Sequence, residues 1–303
     1  MSLRRHILNL GLRLVEKRFL ARADDPVALR AGFERKARFW FRPPRGSHFS
    51  KEVLDGVPVC WALGKDVSAG KAGAVILYLH GGGYVFGSSR SHRAMLARLS
   101  GLSGLAACLP DYRLAPEHAF PAALEDALAV YIELSAEREV IIGGDSAGGG
   151  LALALLAEIL RHGLRRPRGV FCFSPLTDMT FSGDSMASNA DAEVMLPVAR
   201  AGELARMYLR ESDPRDPRVS PLFAGFRGAP PVWIAAGDTE ILLDDTRRMA
   251  ARLRADGVRV TEVIARDLPH VWPIFGPLLP EACRTLEEVA GWIRSLSRPQ
   301  GDS

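Results

Sequence analysis

Ile141-Ile-Gly-Gly-Asp-Ser-Ala-Gly-Gly149 runs from an apolar segment into a tight glycine turn, and it contains the pattern G-x-S-x-G as Gly144-Asp-Ser-Ala-Gly148. Glu139-Val-Ile-Ile142 reads as a strand before it, and Gly149–His162 as a strongly apolar helix after it. A serine that must present its hydroxyl at the top of a sheet needs this strand–turn–helix setting, and small neighbours that tolerate the sharp backbone. The helix that follows turns free amides and a positive dipole end toward the place where negative charge would develop. A phosphate-binding turn is the competing reading. No G-K-[ST] ending follows, however, and the glycines do not spell G-x-G-x-x-G. Ser146 is therefore the candidate nucleophile.

Upstream, the continuous apolar run Ala74-Val-Ile-Leu-Tyr-Leu79 suits a strand buried on both faces, and it ends in His80-Gly-Gly-Gly83. Acyl transfer builds an alkoxide that backbone amides must reach without side chains in the way, so a glycine loop here is a candidate oxyanion hole, with Ala147 after the serine as a further donor. His80 is placed to orient that loop. Downstream, a serine hydroxyl needs a base, and histidine titrates near neutrality. In this arrangement the chain order is serine, acid, histidine. Only His162 and His270 follow Ser146. His162 ends the helix that starts at the nucleophile, which carries it roughly 24 Å away. His270, in Leu268-Pro-His-Val-Trp272, is the remaining candidate. The acid is expected after the strand Pro231-Val-Trp-Ile-Ala-Ala236, where Asp238 and Glu240 both qualify; Asp244 and Asp245 fall in the first turn of the next helix.

The remaining pattern alternates strands and helices. Strands are expected at Val57–Leu63, Leu105–Leu109, Val170–Phe173 and Val258–Val263. Helices are expected at Ser91–Ser100, Pro121–Arg138, Asp244–Asp256 and Pro280–Ser297. This predicts an α/β fold with a mostly parallel sheet. Residues 1–45 read as amphipathic helix, with Leu3, Ile7, Leu10 and Leu14 on one stripe, and residues 176–215 break the rhythm as an insertion.

The chain of 303 residues has 48% hydrophobic and 24% charged residues, ordinary for a soluble globular protein. Its charge of +4 is uneven: residues 1–45 carry 12 Lys/Arg against 4 Asp/Glu, a net of +8, so the remainder nets −4. The basic end could touch anionic surfaces, but a solvated face of cap helices is the favoured reading. No nucleic-acid motif accompanies it. Cys60, Cys108, Cys172 and Cys283 form no C-x-x-C pair and read as reduced thiols, which fits a cytoplasmic protein. No apolar run reaches membrane-spanning length, so no stable membrane insertion is expected.

With these residues in hand, the sequence resembles the hormone-sensitive lipase family of bacterial carboxylesterases, within the α/β-hydrolase superfamily. The matching motifs are His80-Gly-Gly-Gly83, Asp111-Tyr-Arg-Leu-Ala-Pro-Glu117, Gly144-Asp-Ser-Ala-Gly-Gly149, Ser220-Pro-Leu222, Glu240-Ile-Leu-Leu-Asp244 and Pro269-His-Val271. Within the family it is most similar to short-chain esterases and monoterpene lactone hydrolases. The resemblance implies an α/β-hydrolase fold over residues 46–303, with a helical cap made of residues 1–45 and an insertion at 176–215. It implies a triad of Ser146, Glu240 and His270, the glutamate standing where the family usually has aspartate. Oxyanion donors would be Gly82, Gly83 and Ala147, and Arg113 would lie in a buried ion pair. The expected activity is hydrolysis of short- to medium-chain esters without metal or cofactor. A lactonase, amidase or deacetylase on the same triad is the alternative, and a non-catalytic small-molecule binder is a remote one. Family members often dimerise, so a homodimer is possible.

Overall fold

The computed structural model describes residues 2–22, 25–70, 73–276 and 278–296. Eight strands form one sheet: β1 (His48–Leu54), β2 (Val57–Leu63), β3 (Ala74–Leu79), β4 (Ala106–Pro110), β5 (Glu139–Asp145), β6 (Gly169–Phe173), β7 (Val232–Gly237) and β8 (Val260–Ala265). Their order is β1-β2-β4-β3-β5-β6-β7-β8. β2 runs antiparallel to both β1 and β4, and from β4 onward every pairing is parallel.

The helices are α1 (Leu3–Gly11), α2 (Lys17–Arg22), α3 (Pro26–Trp40), α4 (Ser89–Ser103), α5 (Ala122–Glu137), α6 (Ser146–Arg161), α7 (Ser185–Ser188), α8 (Val198–Leu209), α9 (Leu243–Ala255) and α10 (Pro280–Leu296). They cover both faces of the sheet. Val75, Leu77 and Leu79 of β3 join a core shared with α5, α6 and α9, whereas Ile76 and Tyr78 point into a second core with α4 and α10. This is why β3 is apolar at successive positions rather than alternating. The expected α/β architecture is thus observed, with element ends shifted by at most three residues, and Ser297 lies outside the described residues.

β1 was not expected. Six of its seven residues are at least partly exposed, so no buried face stamps an alternation on its sequence. A second correction concerns Arg113. It does pair with Asp126 at 2.7 Å and Glu125 at 3.1 Å, but its side chain is 44% exposed, so the pair is at the surface rather than buried. The rest of that motif fastens α3 to the body: Arg30 pairs with Glu117 at 2.6 Å and donates to the carbonyls of Val85 and Ala115. No helix among the described residues is long and apolar enough to cross a membrane.

The strand order decides where chemistry can sit. β3, β5, β6, β7 and β8 are consecutive neighbours, so the loops leaving their carboxyl ends lie side by side along one edge. The sequence order reverses around β3, which opens a crevice at that edge.

Candidate active site

β3 and β5 pair with Leu79 opposite Gly144, which brings the loop His80–Gly83 against the turn that carries Ser146. Ser146 has φ +53° and begins α6. The turn survives because its neighbours lack side chains: a Cβ on Gly144 would sit 2.2 Å from the Gly148 carbonyl oxygen, and one on Gly148 would sit 2.1 Å from that of Leu79. Tyr84, Ser174 and Val271 also adopt positive φ. Together with Ser146 they place four strained residues along the same strand edge, as expected where geometry is held for function.

Gly82 has φ +126° and Gly83 φ +60°, and both line the cavity in front of Ser146. An added Cβ on Gly82 would meet the Phe86 carbonyl oxygen at 2.0 Å. Ala147 is fully buried as the first residue after Ser146 at the start of α6, where backbone amides have no intrahelical acceptor.

Beneath the loop lies an arrangement that the sequence reading missed. Asp145, fully buried, accepts from Tyr78 Oη at 2.8 Å and from the Gly81 amide at 3.1 Å, and lies 3.3 Å from His92 Nε2. Burial would raise Asp145, but the charge of and hydrogen bond from His92 outweigh it, so its carboxyl lies below the ordinary range. For His92, burial pulls the other way from Asp145, and Asp145 prevails, raising the imidazole. His80 stacks on Tyr112 with centroids 4.3 Å apart, and its Nδ1 lies 2.9 Å from the Gly81 carbonyl. Burial, then the charge of His92, pull His80 down to about 4, so it is neutral at pH 7. His92 stands on α4, after the glycine loop but outside any motif, and carries no local spacing signal.

At the other side of Ser146, the loops after β6, β7 and β8 converge. His270 Nδ1 lies 2.7 Å from Glu240 Oε2, and both side chains are buried. An ionised carboxylate only accepts, so the proton sits on Nδ1 and Nε2 is left as an acceptor. Nε2 is buried with no hydrogen-bond partner among the described residues, and His270 and Ser146 line the same cavity. Burial disfavours the charged imidazole, yet the hydrogen bond and charge of Glu240 outweigh it, and His270 is raised above its ordinary value.

Glu240 is itself held. Its Oε1 accepts from Ser174 Oγ at 2.8 Å and from the Gly237 amide. The same Ser174 oxygen accepts from the Val271 amide at 3.1 Å, tying the acid loop to the histidine loop. Asp238 does something else: its Oδ1 accepts from the Asp267 amide at 2.6 Å, and no hydrogen bond or ion pair joins it to His270. Of the two candidate acids, Glu240 meets the imidazole. Glu193, also buried and unforeseen, accepts from the Met195 and Leu196 amides and from the Ile241 amide next to Glu240. Burial raises its carboxyl, opposed by the charge on His270 and helped by that on Glu240.

The cavity measures about 790 Å³ and is mostly apolar, with Leu176, Met179, Met195, Leu204 and Phe275 in its wall. Residues 4–41 and 176–205 both contribute to it. They are joined by Lys17 Nζ, which donates to the Ala190 and Glu193 carbonyls at 3.0 and 2.7 Å. Among the described residues no group of three or more His, Cys, Asp or Glu is placed to hold a metal ion.

The chain is similar to known proteins. The family model described as "alpha/beta hydrolase fold" matches residues 76–274. An acetyl-hydrolase of Streptomyces hygroscopicus is 37% identical over 227 residues, covering 74% of this chain and 76% of that one. An esterase of Acinetobacter venetianus is 32% identical over 239 residues, covering 77% and 79%. Among solved structures, an esterase from the bacterial hormone-sensitive lipase family superposes with a TM-score of 0.90 at 32% identity, covering 98% of this chain and 99% of that one. EstE5, soaked with p-nitrophenyl butyrate, superposes with a TM-score of 0.88 at 37% identity and the same coverage. The chain belongs to the α/β-hydrolase fold family and, within it, to the bacterial hormone-sensitive lipase group of serine ester hydrolases.

Proposed function

We propose that the chain hydrolyses carboxylic esters of short to medium acyl length through a Ser146–His270–Glu240 triad. The observation that carries this reading is His270: its Nδ1 is bound to Glu240 while its Nε2 stands unpartnered at the wall of the cavity that also holds Ser146. Nε2 takes the hydroxyl proton as Ser146 Oγ bonds to the ester carbon. The resulting alkoxide is held by the amides of Gly82, Gly83 and Ala147. As it collapses, the bond to the alcohol oxygen breaks and that oxygen takes the proton from Nε2. Water then repeats the sequence on the acyl-enzyme, releasing the acid and restoring Ser146. Glu240 keeps the proton on Nδ1 and stabilises the transient imidazolium. In the same reading, residues 1–45 and 176–215 act as the cap over a catalytic body formed by 46–303.

The apolar, methionine-containing wall supports an acyl pocket more than a polar one. A series of p-nitrophenyl esters beside lactones and anilides tests the substrate class. The expected optimum lies below twelve carbons with esters ahead of anilides; an optimum beyond that length, or faster anilide cleavage, overturns it. A fluorophosphonate probe should label Ser146 stoichiometrically. Gly82→Ala is expected to lower kcat by about 10²–10³-fold, because Gly82 has φ +126° and a Cβ there would meet Phe86 at 2.0 Å. The measurement is kcat on p-nitrophenyl butyrate, with circular dichroism to establish that the variant is folded.

A further inference from the structure

α1 is turned the wrong way round for a helix of a soluble body. Leu3, Ile7, Leu10 and Leu14 recur at intervals of four, three and four residues, the spacing of a stripe that ordinarily faces a core. Here Leu3, Ile7 and Leu10 are 75%, 64% and 59% exposed, and the buried residue of α1 is Arg5. The inward face is mixed: Leu8 packs on the core that holds Leu12, Arg5 pairs with Asp267 at 2.9 Å and donates to the Arg266 carbonyl, and Asn9 donates to the Asp267 carbonyl at 3.2 Å. The apolar stripe is therefore left to face outward.

That stripe is continuous with the cavity mouth. Ile7, Val15 and Trp40 are each at least half exposed and also line the cavity. Phe39, 65% exposed, stacks edge-on against Trp40. Eight of the eleven large hydrophobic side chains exposed among the described residues fall in residues 3–40.

The same N-terminal segment carries exposed cations. Arg18, Arg22, Arg35, Arg38 and Arg42 are exposed, and none has an acidic partner among the described residues. Of the acids described in this segment, Glu16 is held by Lys36, Glu34 by Ser88 and Arg90, and Asp25 by the Val27 and Ala28 amides that it caps. A second copy of the chain would set one +8 segment against another, so charge disfavours self-association as the cover for this face. An anionic lipid surface complements it in both respects, accepting the apolar stripe and the flanking arginines.

We propose that α1 and the carboxyl end of α3 seat the protein peripherally on anionic lipid, with the cavity mouth against the surface, so that lipid-borne esters enter from it. The delivery half rests on the ester-hydrolase reading; the seating half does not. Flotation with vesicles of mixed phosphatidylglycerol and phosphatidylcholine, beside vesicles of phosphatidylcholine alone, tests the seating without turnover. The wild-type protein should float with the anionic vesicles about tenfold more than with the neutral ones. Leu10→Asp/Leu14→Asp and Arg18→Glu/Arg38→Glu should each lose that binding. Their kcat/KM on soluble p-nitrophenyl butyrate should stay at the wild-type value, which also shows them folded. Equal flotation of wild type and variants, or no flotation of the wild type, overturns the proposal. So does a wild-type dimer in sedimentation equilibrium that Leu10→Asp/Leu14→Asp dissolves while neither protein binds vesicles. Flotation without hydrolysis of any ester would instead leave the seating intact and sink the ester reading.

Discussion

Ser146→Ala and His270→Ala should each lower kcat on a p-nitrophenyl ester by about 10⁶-fold, and the double variant should fall no further, because the two groups act as one unit. The serine hydroxyl is unreactive without a base, and the base has no other proton to take. No second histidine can substitute. His80 is committed to the Gly81 carbonyl and the Tyr112 ring, and His92 to Asp145. Among the described residues, only His270 offers an unpartnered ring nitrogen at the cavity. Single-turnover kinetics on the three variants would check this. A His270→Ala protein retaining a tenth of the activity, or a double variant far below both singles, would refute the assignment.

Glu240→Gln should cost about 10⁴-fold in kcat, the order expected when the group that fixes the imidazole tautomer is neutralised. It should also move the pH profile, and the sign follows from the balance at His270. Burial lowers the imidazole, while the hydrogen bond and charge of Glu240 raise it above its ordinary value. The base works only when neutral, so wild-type kcat/KM falls as pH drops through that raised value. Without the carboxylate charge, burial prevails and the acid limb shifts to lower pH. Asp238→Asn should leave both kcat and the acid limb unchanged, since Asp238 binds the Asp267 amide instead. Loss confined to Asp238→Asn, or an unmoved acid limb in Glu240→Gln, would return the question to the other carboxylate.

These two experiments bear on different depths of the sequence reading. Ser146 and His270 were legible as candidates because each is constrained locally and by chain order: a nucleophile there needs glycines within two residues, and its base must follow the last strand. Glu240 and Asp238 were not separable by such rules, since both follow β7 within four residues. What separates them is the grip of Ser174 Oγ and the Gly237 amide on Glu240, together with the reach of a glutamate side chain to Nδ1. Ser174, Glu193 and His92 went unseen because a single polar residue on a strand end, insertion or helix has no pattern of its own. Their importance is created by burial beside a charge.

The sequence by itself determined the strand–helix alternation, the strained serine turn, the glycine amide loop and the single histidine that can serve them, because these depend on local backbone chemistry and on order along the chain. It also contained the stripe Leu3, Ile7, Leu10 and Leu14 as an amphipathic helix. Only the tertiary structure decided which way that stripe points. Arg5 and Asn9 find partners at Asp267, more than 250 residues away, and burying those polar groups against the body turns the leucines outward. Periodicity states that a helix has two faces; the surface available for each face to meet decides which one is buried.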